Sequence, residues 1–467
     1  MPGTTEDPRR RLPSASALLE HPAIAGLVEQ YSHPIVMEAI RAVLDWRRAN
    51  LAPGDPPPSF EAIARHAAAA AHRLEIDRLR PVVNATGVIL HTNLGRAALP
   101  RAAAQALASA DRCCNMQIDM ETGGRGKRNH ACERLLCKLT GAEAAAIVNN
   151  NAAATLLVLA ALCRGREVIV SRGQLIEIGG SFRLPDCIRE SGAILVEVGT
   201  TNKTHFRDYE NALSERTSMV LRVNPSNYRV IGFHGGVPIG ELARLKTKLP
   251  VIVSDDLGCG ALIDTAQFGL PHEPTVQESL AAGADIVFFS GDKLIGGPQA
   301  GIVAGKASLI ARIKKHPLAR MMRVCKLTDM ALERTLRLFL APGTLLRENP
   351  TLAMLAARPE ALRARAEAIL ERIGEGAAPL AAQAVECVSA VGGGSLPDVE
   401  LPSWALALAA PGWTAGELLE ALRDNEPPVI GRIAAARVVL DMRTLLEGED
   451  EIVAQALLAL AQTLSSR

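Results

Sequence analysis

The sequence predicts an α/β protein built on a mainly parallel central sheet, with a helical module before the sheet and a small α+β domain after it. From Pro81 onward, short apolar segments alternate with helical segments, as in parallel sheets whose two faces are covered by helices. Hydrophobic residues make up 48% of the chain and aromatic residues only 3%, and alanine and leucine dominate the long segments. This composition favours a helix-rich α/β protein over an all-β one.

Residues 1–50 are predicted to form a helical module of their own. Apolar side chains recur every three or four positions in residues 24–31 and again in residues 36–44, which is the period of amphipathic helices. Residues 51–79 are predicted to form a linker and a connecting helix. The linker contains four prolines and one glycine, a composition typical of semi-rigid connections, and the helix is rich in alanine.

Residues 80–345 are predicted to form the large domain that contains the sheet. Its strands are expected at six short apolar segments, residues 145–148, 167–171, 194–198, 219–223, 251–254 and 285–290. Residues 346–467 are predicted to form the small C-terminal domain. Its expected elements are a helix at 359–373, strands near 387–391, 403–408 and 437–442, and a final helix. With 467 residues, the chain is long enough for about three domains.

The charge of the chain is balanced overall and concentrated locally. The formal net charge of +1 creates no global field that would attract a polyanionic partner. Between Arg312 and Lys326, however, seven basic residues occur without an acidic one. This pattern by itself is typical of a solvated helix face.

The cysteines, the first residues and the length of the apolar runs indicate the cellular compartment. Nine cysteines are scattered along the chain, and their spacing indicates neither a disulfide framework nor a structural zinc site. The first residues are polar and acidic and lack the apolar segment of a secretion signal. The longest apolar run, residues 152–163, is too short to span a membrane. These observations predict a cytoplasmic protein with no membrane segment and no metal site.

The most informative motif lies in residues 285–301. An apolar strand ending at Ser290 runs directly into a small-residue loop that carries Lys293. The surrounding glycines allow a flat or phosphorylated ligand to approach the backbone closely. A lysine removed from water loses its proton more readily than an exposed one, and can then act as a base or form a Schiff base. The alternative is an ordinary surface lysine on a turn, and the local pattern does not decide between the two.

A second motif follows the strand at 145–148. Asn149, Asn150 and Asn151 precede a predicted helix that includes Ala152. Asparagine is a good N-cap, and the free N–H groups at the start of a helix bind anions such as phosphate. The alternative is a triplet that only caps a buried helix.

A third motif follows the strand at 251–254, where Asp255 and Asp256 precede a glycine turn. Carboxylates at the carboxyl ends of strands face the ligand crevice of open α/β sheets. A carboxylate one strand away from the lysine can keep a pyridine nitrogen protonated, which makes the ring an electron sink. The order of phosphate site, carboxylate and lysine is far more specific than any one of them.

Other catalytic signatures are not supported. Residues 124–126 and 258–260 lack the third glycine of a dinucleotide motif, and residues 301–307 lack the spacing of a P-loop. The S-x-x-K motif of penicillin-binding proteins is matched by Ser290 and Lys293, but the chain contains no SDN or KTG segment. The sequence therefore favours neither NAD nor ATP binding, nor a serine acyl-enzyme.

In the order of its motifs and in the residues that form them, the chain resembles the bacterial L-seryl-tRNA(Sec) selenium transferases, or selenocysteine synthases. These are fold-type I pyridoxal-phosphate enzymes. The resemblance covers nearly the whole chain. It rests on residues 80–96, 139–143, 148–153, 171–180, 199–203, 225–228, 256–258 and 290–293. A helical N-terminal module often precedes the core in this family.

The resemblance implies a cofactor and a reaction. Lys293 would hold pyridoxal 5′-phosphate, and serine esterified to tRNA(Sec) would lose its hydroxyl through a cofactor-bound aminoacrylyl intermediate. Selenophosphate would then supply selenium, which gives selenocysteinyl-tRNA(Sec). Released Lys293 is expected to act as the general base, and Asp256 to pair with the pyridine nitrogen, with Asp255 as the alternative. The remaining expected cofactor contacts are Asn150, Asn151, Ala152 and Ser290.

The resemblance also implies binding sites for the other partners. Arg96, Arg320 and Arg323 are expected around the selenophosphate, because guanidinium groups bind small oxyanions bidentately. Residues 1–50 are expected to contact the tRNA. They contain six basic and six acidic residues, so they have no excess of positive charge that would mark a phosphate-binding surface. The resemblance further implies a homo-oligomer, a decamer built as a pentamer of dimers.

Two other functions remain open at the level of sequence. One is a pyridoxal-phosphate lyase or racemase acting on a free amino acid, and the presence of the N-terminal module counts against it. The other is an RNA-binding or assembly protein that has lost catalysis, and the presence of Lys293 and of the acidic strand end counts against it.

Overall fold

A computed structural model of the protein describes residues 12–51, 59–75 and 79–465. The chain divides into two units, residues 1–81 and residues 82–467. Residues 52–58 of the predicted linker and residues 76–78 of the predicted connecting helix lie outside the described ranges.

The first unit is helical over its described residues. Its helices are α1 (Ala15–Leu19), α2 (Pro22–Tyr31), α3 (His33–Asn50) and α4 (Phe60–Glu75). Helices α2 and α3 lie where the amphipathic pattern predicts them. Their apolar faces bury Ile24, Val36 and Ile40 in one core with Ile63 of α4.

The second unit alternates strands and helices. Its strands are β1 (Val83–Asn84), β2 (Ala144–Val148), β3 (Glu167–Ser171), β4 (Glu177–Ile178), β5 (Phe182–Arg183), β6 (Ile194–Val198), β7 (Thr217–Val223), β8 (Ile252–Gly258), β9 (Ile286–Ser290), β10 (Gly301–Gly305), β11 (Gln383–Ala390), β12 (Glu400–Leu408), β13 (Val429–Ile430), β14 (Arg432–Ala434) and β15 (Arg437–Asp441). Its α-helices are α5 (Arg101–Ala108), α6 (His130–Thr140), α7 (Asn151–Cys163), α8 (Leu184–Glu190), α9 (Phe206–Ala212), α10 (Ile239–Leu242), α11 (Val276–Ala281), α12 (Ala307–Lys315), α13 (Pro317–Met321), α14 (Lys326–Leu338), α15 (Pro342–Glu348), α16 (Pro350–Ala356), α17 (Pro359–Ile373), α18 (Ala415–Arg423) and α19 (Glu449–Ser465).

The central sheet has seven strands in the order β2-β10-β9-β8-β7-β3-β6. Strand β10 runs antiparallel to both of its neighbours, and the other pairs are parallel. Both faces are buried, since the adjacent Val168 and Ile169 are fully inaccessible and pack into different apolar clusters. The predicted fold class, a mainly parallel sheet covered on both faces, is confirmed.

Strand β8 extends further than the sequence predicts. Its pairing with β7 continues past the apolar residues, and Asp255 and Asp256 lie within the strand, opposite Arg222 and Val223. An acid is tolerated here because Arg222 forms an ion pair with Asp255 across the two strands. Successive side chains of a strand point to opposite faces, so the two aspartates have different surroundings.

The C-terminal part forms a four-stranded antiparallel sheet in the order β11-β12-β15-β14, against which α17 and α19 pack. The edge strand β14 was not predicted. Strand β1 forms a separate two-stranded parallel sheet with β13 through Val83 and Val429. Both valines pack in the apolar core of the C-terminal part, so the chain just after residue 81 belongs to that core. The limits 80–345 and 346–467 stay predictions. No helix within the described ranges is long and apolar enough to cross a membrane.

Candidate active site

Lys293 lies in the tight loop between β9 and β10. Backbone hydrogen bonds from Gly291 N to Ala300 O (2.8 Å) and from Gly297 N to Gly291 O (2.9 Å) hold this loop. Lys293 is only 8% exposed, so it is not a surface lysine. Burial lowers the pKa of its ammonium group, and the nearby guanidinium of Arg96 lowers it further. The amine is therefore more easily deprotonated than that of an ordinary lysine.

Asp256 faces the start of α7. Its carboxylate accepts hydrogen bonds from Asn151 Nδ2 (2.8 Å), Thr155 Oγ1 (3.3 Å) and the backbone N–H of Gly258 (3.1 Å). Burial raises the pKa of Asp256 to about 6, whereas the hydrogen bonds from Asn151 and Gly258 and the Lys293 ammonium act in the opposite direction. The carboxylate thus lacks a full positive counter-charge at close range.

Asp255 has a different environment. Arg222 Nη1 donates to both of its carboxylate oxygens at 2.8 and 2.9 Å, and Ser279 Oγ donates to one of them at 2.7 Å. Asp255 is fully buried. Its hydrogen bonds are satisfied within the fold, on the side of the sheet away from Asn151.

The first turn of α7 exposes free donors. Asn150 is the N-cap, and its side chain accepts from the N–H of Ala153 at 2.8 Å. Within the described residues, the backbone N–H groups of Asn151 and Ala152 have no acceptor, as expected for the first turn of a helix. The side-chain oxygen of Asn151 is buried and also without a partner.

Close backbone packing brings the lysine loop to this helix. Ser290 pairs with Gly301, and Gly301 pairs on its other side with Val148. A Cβ atom on Gly301 would overlap the backbone oxygen of Asn150, so only glycine fits there. Ser290 is buried, and no hydrogen bond to its hydroxyl is recorded among the described residues. The structure therefore brings together Lys293 and the five other predicted cofactor residues.

The three predicted arginines are placed differently. Arg96 Nη1 forms an ion pair with the buried Asp292 at 2.7 Å and lies beside Lys293. Arg320 and Arg323 are exposed, and no ion pair is recorded for either within the described residues. The backbone of Arg323 bridges to Val148, next to the start of α7. Arg96 thus joins the lysine site directly and the backbone of Arg323 lies at its edge, whereas no contact of Arg320 with the site is recorded among the described residues.

Comparison with known proteins identifies the family. A family model described as L-seryl-tRNA selenium transferase matches residues 82–446, and one described as the N-terminal part of selenocysteine synthase matches residues 9–48. The L-seryl-tRNA(Sec) selenium transferase of Moorella thermoacetica is 48% identical over 458 residues, which are 96% of both chains. The chain belongs to the L-seryl-tRNA selenium transferase family.

Further relatives of this family agree with the assignment. The L-seryl-tRNA(Sec) selenium transferase of Nitratidesulfovibrio vulgaris is 46% identical, with 96% of this chain and 98% of the relative covered, and that of Geobacter sulfurreducens is 45% identical, with 97% and 99% covered. Among solved structures, a D-glucosaminate-6-phosphate ammonia-lyase aligns with a TM-score of 0.57 at 22% identity, over 83% of this chain and 97% of that one. That likeness shows a shared fold.

The site fits pyridoxal phosphate, the cofactor of the selenium transferase family. Lys293 offers a buried amine of lowered pKa for a Schiff base. The free N–H groups of Asn151 and Ala152 offer an anion site for the phosphate. Asp256 offers a buried carboxylate without a full counter-charge, which a protonated pyridine nitrogen supplies.

Sequence reasoning missed Gly394, which lies against Lys293 in this structure. A Cβ atom on Gly394 would lie 3.2 Å from Lys293 Nζ and 3.8 Å from Asn227 Cβ. Gly392, Gly393 and Gly394 all have positive φ angles, so the run of three glycines was the available signal. The C-terminal part of the chain therefore closes the site over the lysine.

We expect Gly394→Ala to lower turnover by about tenfold or more, because the new methyl group crowds the Lys293 amine. The positive φ of +73° also costs an alanine about 1–2 kcal/mol in stability. Gly412→Ala is the matched control, since Gly412 has a φ of +77° and nothing within 4 Å of the added atom. Turnover and thermal unfolding of both variants separate the two effects. Equal turnover in the two variants would contradict the role of Gly394.

A buried thiol was also missed. Cys259 lies close enough to Lys293 to affect its pKa, and its Sγ donates to Glu273 Oε1 at 2.9 Å. Burial and the Glu273 carboxylate raise the pKa of Cys259 well above its usual range. This cysteine is therefore a protonated thiol in the wall of the site and not a nucleophile.

Proposed function

We propose that this chain converts seryl-tRNA(Sec) to selenocysteinyl-tRNA(Sec) with pyridoxal phosphate as its cofactor and selenophosphate as the selenium donor. In the net reaction, the seryl hydroxyl leaves the β-carbon, selenium takes its place, and the phosphate of the donor is released. The family assignment supports the reaction, and the arrangement of Lys293, Asp256 and the start of α7 supports the cofactor.

The single observation that carries the proposal is that the buried Lys293 lies between the unbonded N–H groups at the start of α7 and the Asp256 carboxylate, for which no ion pair is recorded within the described residues. When bound, pyridoxal phosphate withdraws electrons from the Cα of the seryl group, so that its proton becomes acidic. Lys293 would hold the cofactor, and its free amine would take the Cα proton, because its lowered pKa leaves it deprotonated more readily than a free lysine.

The other residues orient the reacting groups. Asp256 would hold a proton on the ring nitrogen of the cofactor, and Asn151 and Thr155 fix the direction of its carboxylate. The N–H groups of Asn151 and Ala152 bind the phosphate, with the Ser290 hydroxyl as a further donor. Asp255 has no role in this scheme, because Arg222 and Ser279 already saturate it.

Arginines supply the selenophosphate site. Arg96 lies beside Lys293 and is held by Asp292, which leaves part of its guanidinium fork to face the oxyanion. Arg320 and Arg323 have no recorded ion pair within the described residues, and the backbone of Arg323 lies beside Val148, just before α7. Both arginines are proposed to complete the pocket. The helical module at residues 1–50 is proposed to contact the tRNA, and the protein to act as a decamer of five dimers.

The test combines spectroscopy with turnover. The purified protein is expected to show a visible absorption band of the bound cofactor that borohydride removes, with the reduced adduct mapped to Lys293. It is then expected to convert seryl-tRNA(Sec) and selenophosphate to selenocysteinyl-tRNA(Sec). Free serine serves as the competing substrate, and turnover of free serine without turnover of seryl-tRNA(Sec) would favour a lyase instead. A colourless protein that pyridoxal phosphate cannot reconstitute would overturn the catalytic proposal.

A further inference from the structure

An exposed aromatic residue lies on a surface loop that starts at the active site. Phe233 is 76% exposed and Ile231 is 82% exposed, in a molecule whose other large apolar residues are mostly buried. The ammonium group of Lys203 lies 4.3 Å from the centroid of the Phe233 ring. One ring face is thus covered by a cation, and the exposure of the residue leaves the other face open to solvent.

The loop is continuous with the lysine site. A Cβ atom built on Gly394 would lie 3.8 Å from Cβ of Asn227, at the start of the loop, and 3.2 Å from Lys293 Nζ, so Asn227 and Lys293 both line the space beside Gly394. From Asn227 to Phe233 the chain advances six residues, which span at most about 20 Å. Phe233 is therefore within reach of a ligand whose reacting end is at Lys293.

Both ends of the loop are anchored, and its tip is free. At the start, Asn227 Nδ2 donates to Glu177 O at 3.0 Å. At the end, Asn202 Nδ2 donates to Phe233 O at 2.6 Å, and Gly235 N donates to Asn202 O at 3.0 Å. No hydrogen bond of residues 229–232 is recorded within the described part of the chain. The backbone of Phe233 is thus held in place, while its ring stays exposed.

Basic residues lie in the two segments that meet at Phe233. Residues 199–207 and 225–240 contain lysine and arginine but no aspartate or glutamate. Within the described residues, Lys203 and Arg229 have no carboxylate partner. An open aromatic face with unpaired cations is the combination that binds unpaired nucleotides, through base stacking and phosphate contacts. If the same loop of a second copy packed here, its basic residues would face these basic residues, and the loop contains no carboxylate that could pair with them.

We propose that Phe233 and Lys203 form a stacking site for an unpaired nucleotide at the 3′ end of the aminoacylated RNA substrate. The inference rests on the proposed function, because the seryl ester on the terminal ribose must reach Lys293 for the reaction to occur. The unpaired nucleotides then leave the site along the loop from Asn227 to Phe233. Phe233 stacks on a base, and Lys203 and Arg229 contact the phosphates.

The test measures KM for seryl-tRNA(Sec), together with binding of seryl-tRNA(Sec) in which each of the last three nucleotides in turn is replaced by the fluorescent base 2-aminopurine. Phe233→Ala is expected to raise KM about 5- to 140-fold, the range expected for loss of one stacked base, and to reduce the fluorescence change on binding. Phe233→Trp is expected to retain tight binding, and Phe233→Leu to behave like alanine, because leucine is apolar but has no ring face. Lys203→Met is expected to weaken binding and to reduce its salt dependence.

Two controls separate this inference from its alternatives. A tRNA(Sec) that lacks its last three nucleotides is expected to bind the wild type and Phe233→Ala equally. An unchanged KM in Phe233→Ala, measured beside an active wild type, would overturn the stacking site, whereas an inactive wild type would overturn the proposed function instead. A lower oligomer mass of Phe233→Ala in sedimentation would assign the loop to contacts between copies and would also overturn the stacking site.

Discussion

Replacement of Lys293 by alanine is expected to lower selenium transfer at least about 10⁴-fold. The variant loses both the amine that holds the cofactor and the base that takes the Cα proton. It is also expected to lose the borohydride-sensitive absorption band. The measurements are single-turnover conversion of seryl-tRNA(Sec) and the visible spectrum after incubation with pyridoxal phosphate.

Lys293→Arg is the matched control for this change. Arginine keeps the positive charge beside Asp256 and Asp292 but does not form a Schiff base at neutral pH, because its pKa is above 12. Both variants are expected to bind seryl-tRNA(Sec) as the wild type does, since no RNA contact is proposed for Lys293. Selenium transfer that persists in either variant at more than a few per cent would refute the assignment of this lysine.

The sequence predicted the central elements of the site because they are local. A lysine in a glycine-rich loop after an apolar strand, and asparagines at the start of a helix, can be recognised within about ten residues of chain. The structure places Lys293 and Asn150 in these settings, and Gly301 brings the two segments into contact. The alternation of strands and helices predicted the parallel sheet for the same reason.

The parts that could not be predicted depend on distant residues or on strand register. Arg96 and its partner Asp292 are 196 positions apart, and no local pattern connects them. Gly394 meets Lys293 only because the C-terminal part of the chain folds back over the loop. The choice between Asp255 and Asp256 required knowledge of which face of β8 meets α7, and the apolar pattern ends before these residues.

The positive φ of Arg96 is a further feature that the sequence does not show. Its φ is +64°, a left-handed conformation that costs a residue with a side chain about 1–2 kcal/mol. The preceding Gly95 is also left-handed, and the ion pair with Asp292 holds the arginine in place. Such local strain is tolerated where the surrounding structure fixes a functional group, which agrees with the proposed contact between Arg96 and the oxyanion.

Replacement of Asp256 by asparagine is expected to lower selenium transfer by about 10²- to 10³-fold, a loss typical of removing one preorganised charge from a buried site. Asparagine keeps the size of the side chain but cannot hold a proton on the ring nitrogen. Asp255→Asn is the matched variant from the same strand. It is expected to retain turnover per folded molecule but to lose about 3–5 kcal/mol of stability, because Arg222 is left without its buried partner.

The pH dependence of stability tests the environment of Asp256 without any activity assay. Burial raises the pKa of Asp256 from 3.8 to about 6, so the protonated carboxyl stabilises the cofactor-free fold below pH 4, and this contribution is lost as the pH rises through 6. At pH 8 the ionised carboxylate costs the cofactor-free protein on the order of 3 kcal/mol. At pH 8, cofactor-free Asp256→Asn is therefore expected to unfold at a temperature at least as high as that of the wild type. The difference between the two unfolding temperatures is expected to disappear between pH 6 and 4. An Asp256→Asn variant that is less stable at pH 8 would show that the carboxylate is already compensated without the cofactor, and would weaken its assignment to the ring nitrogen.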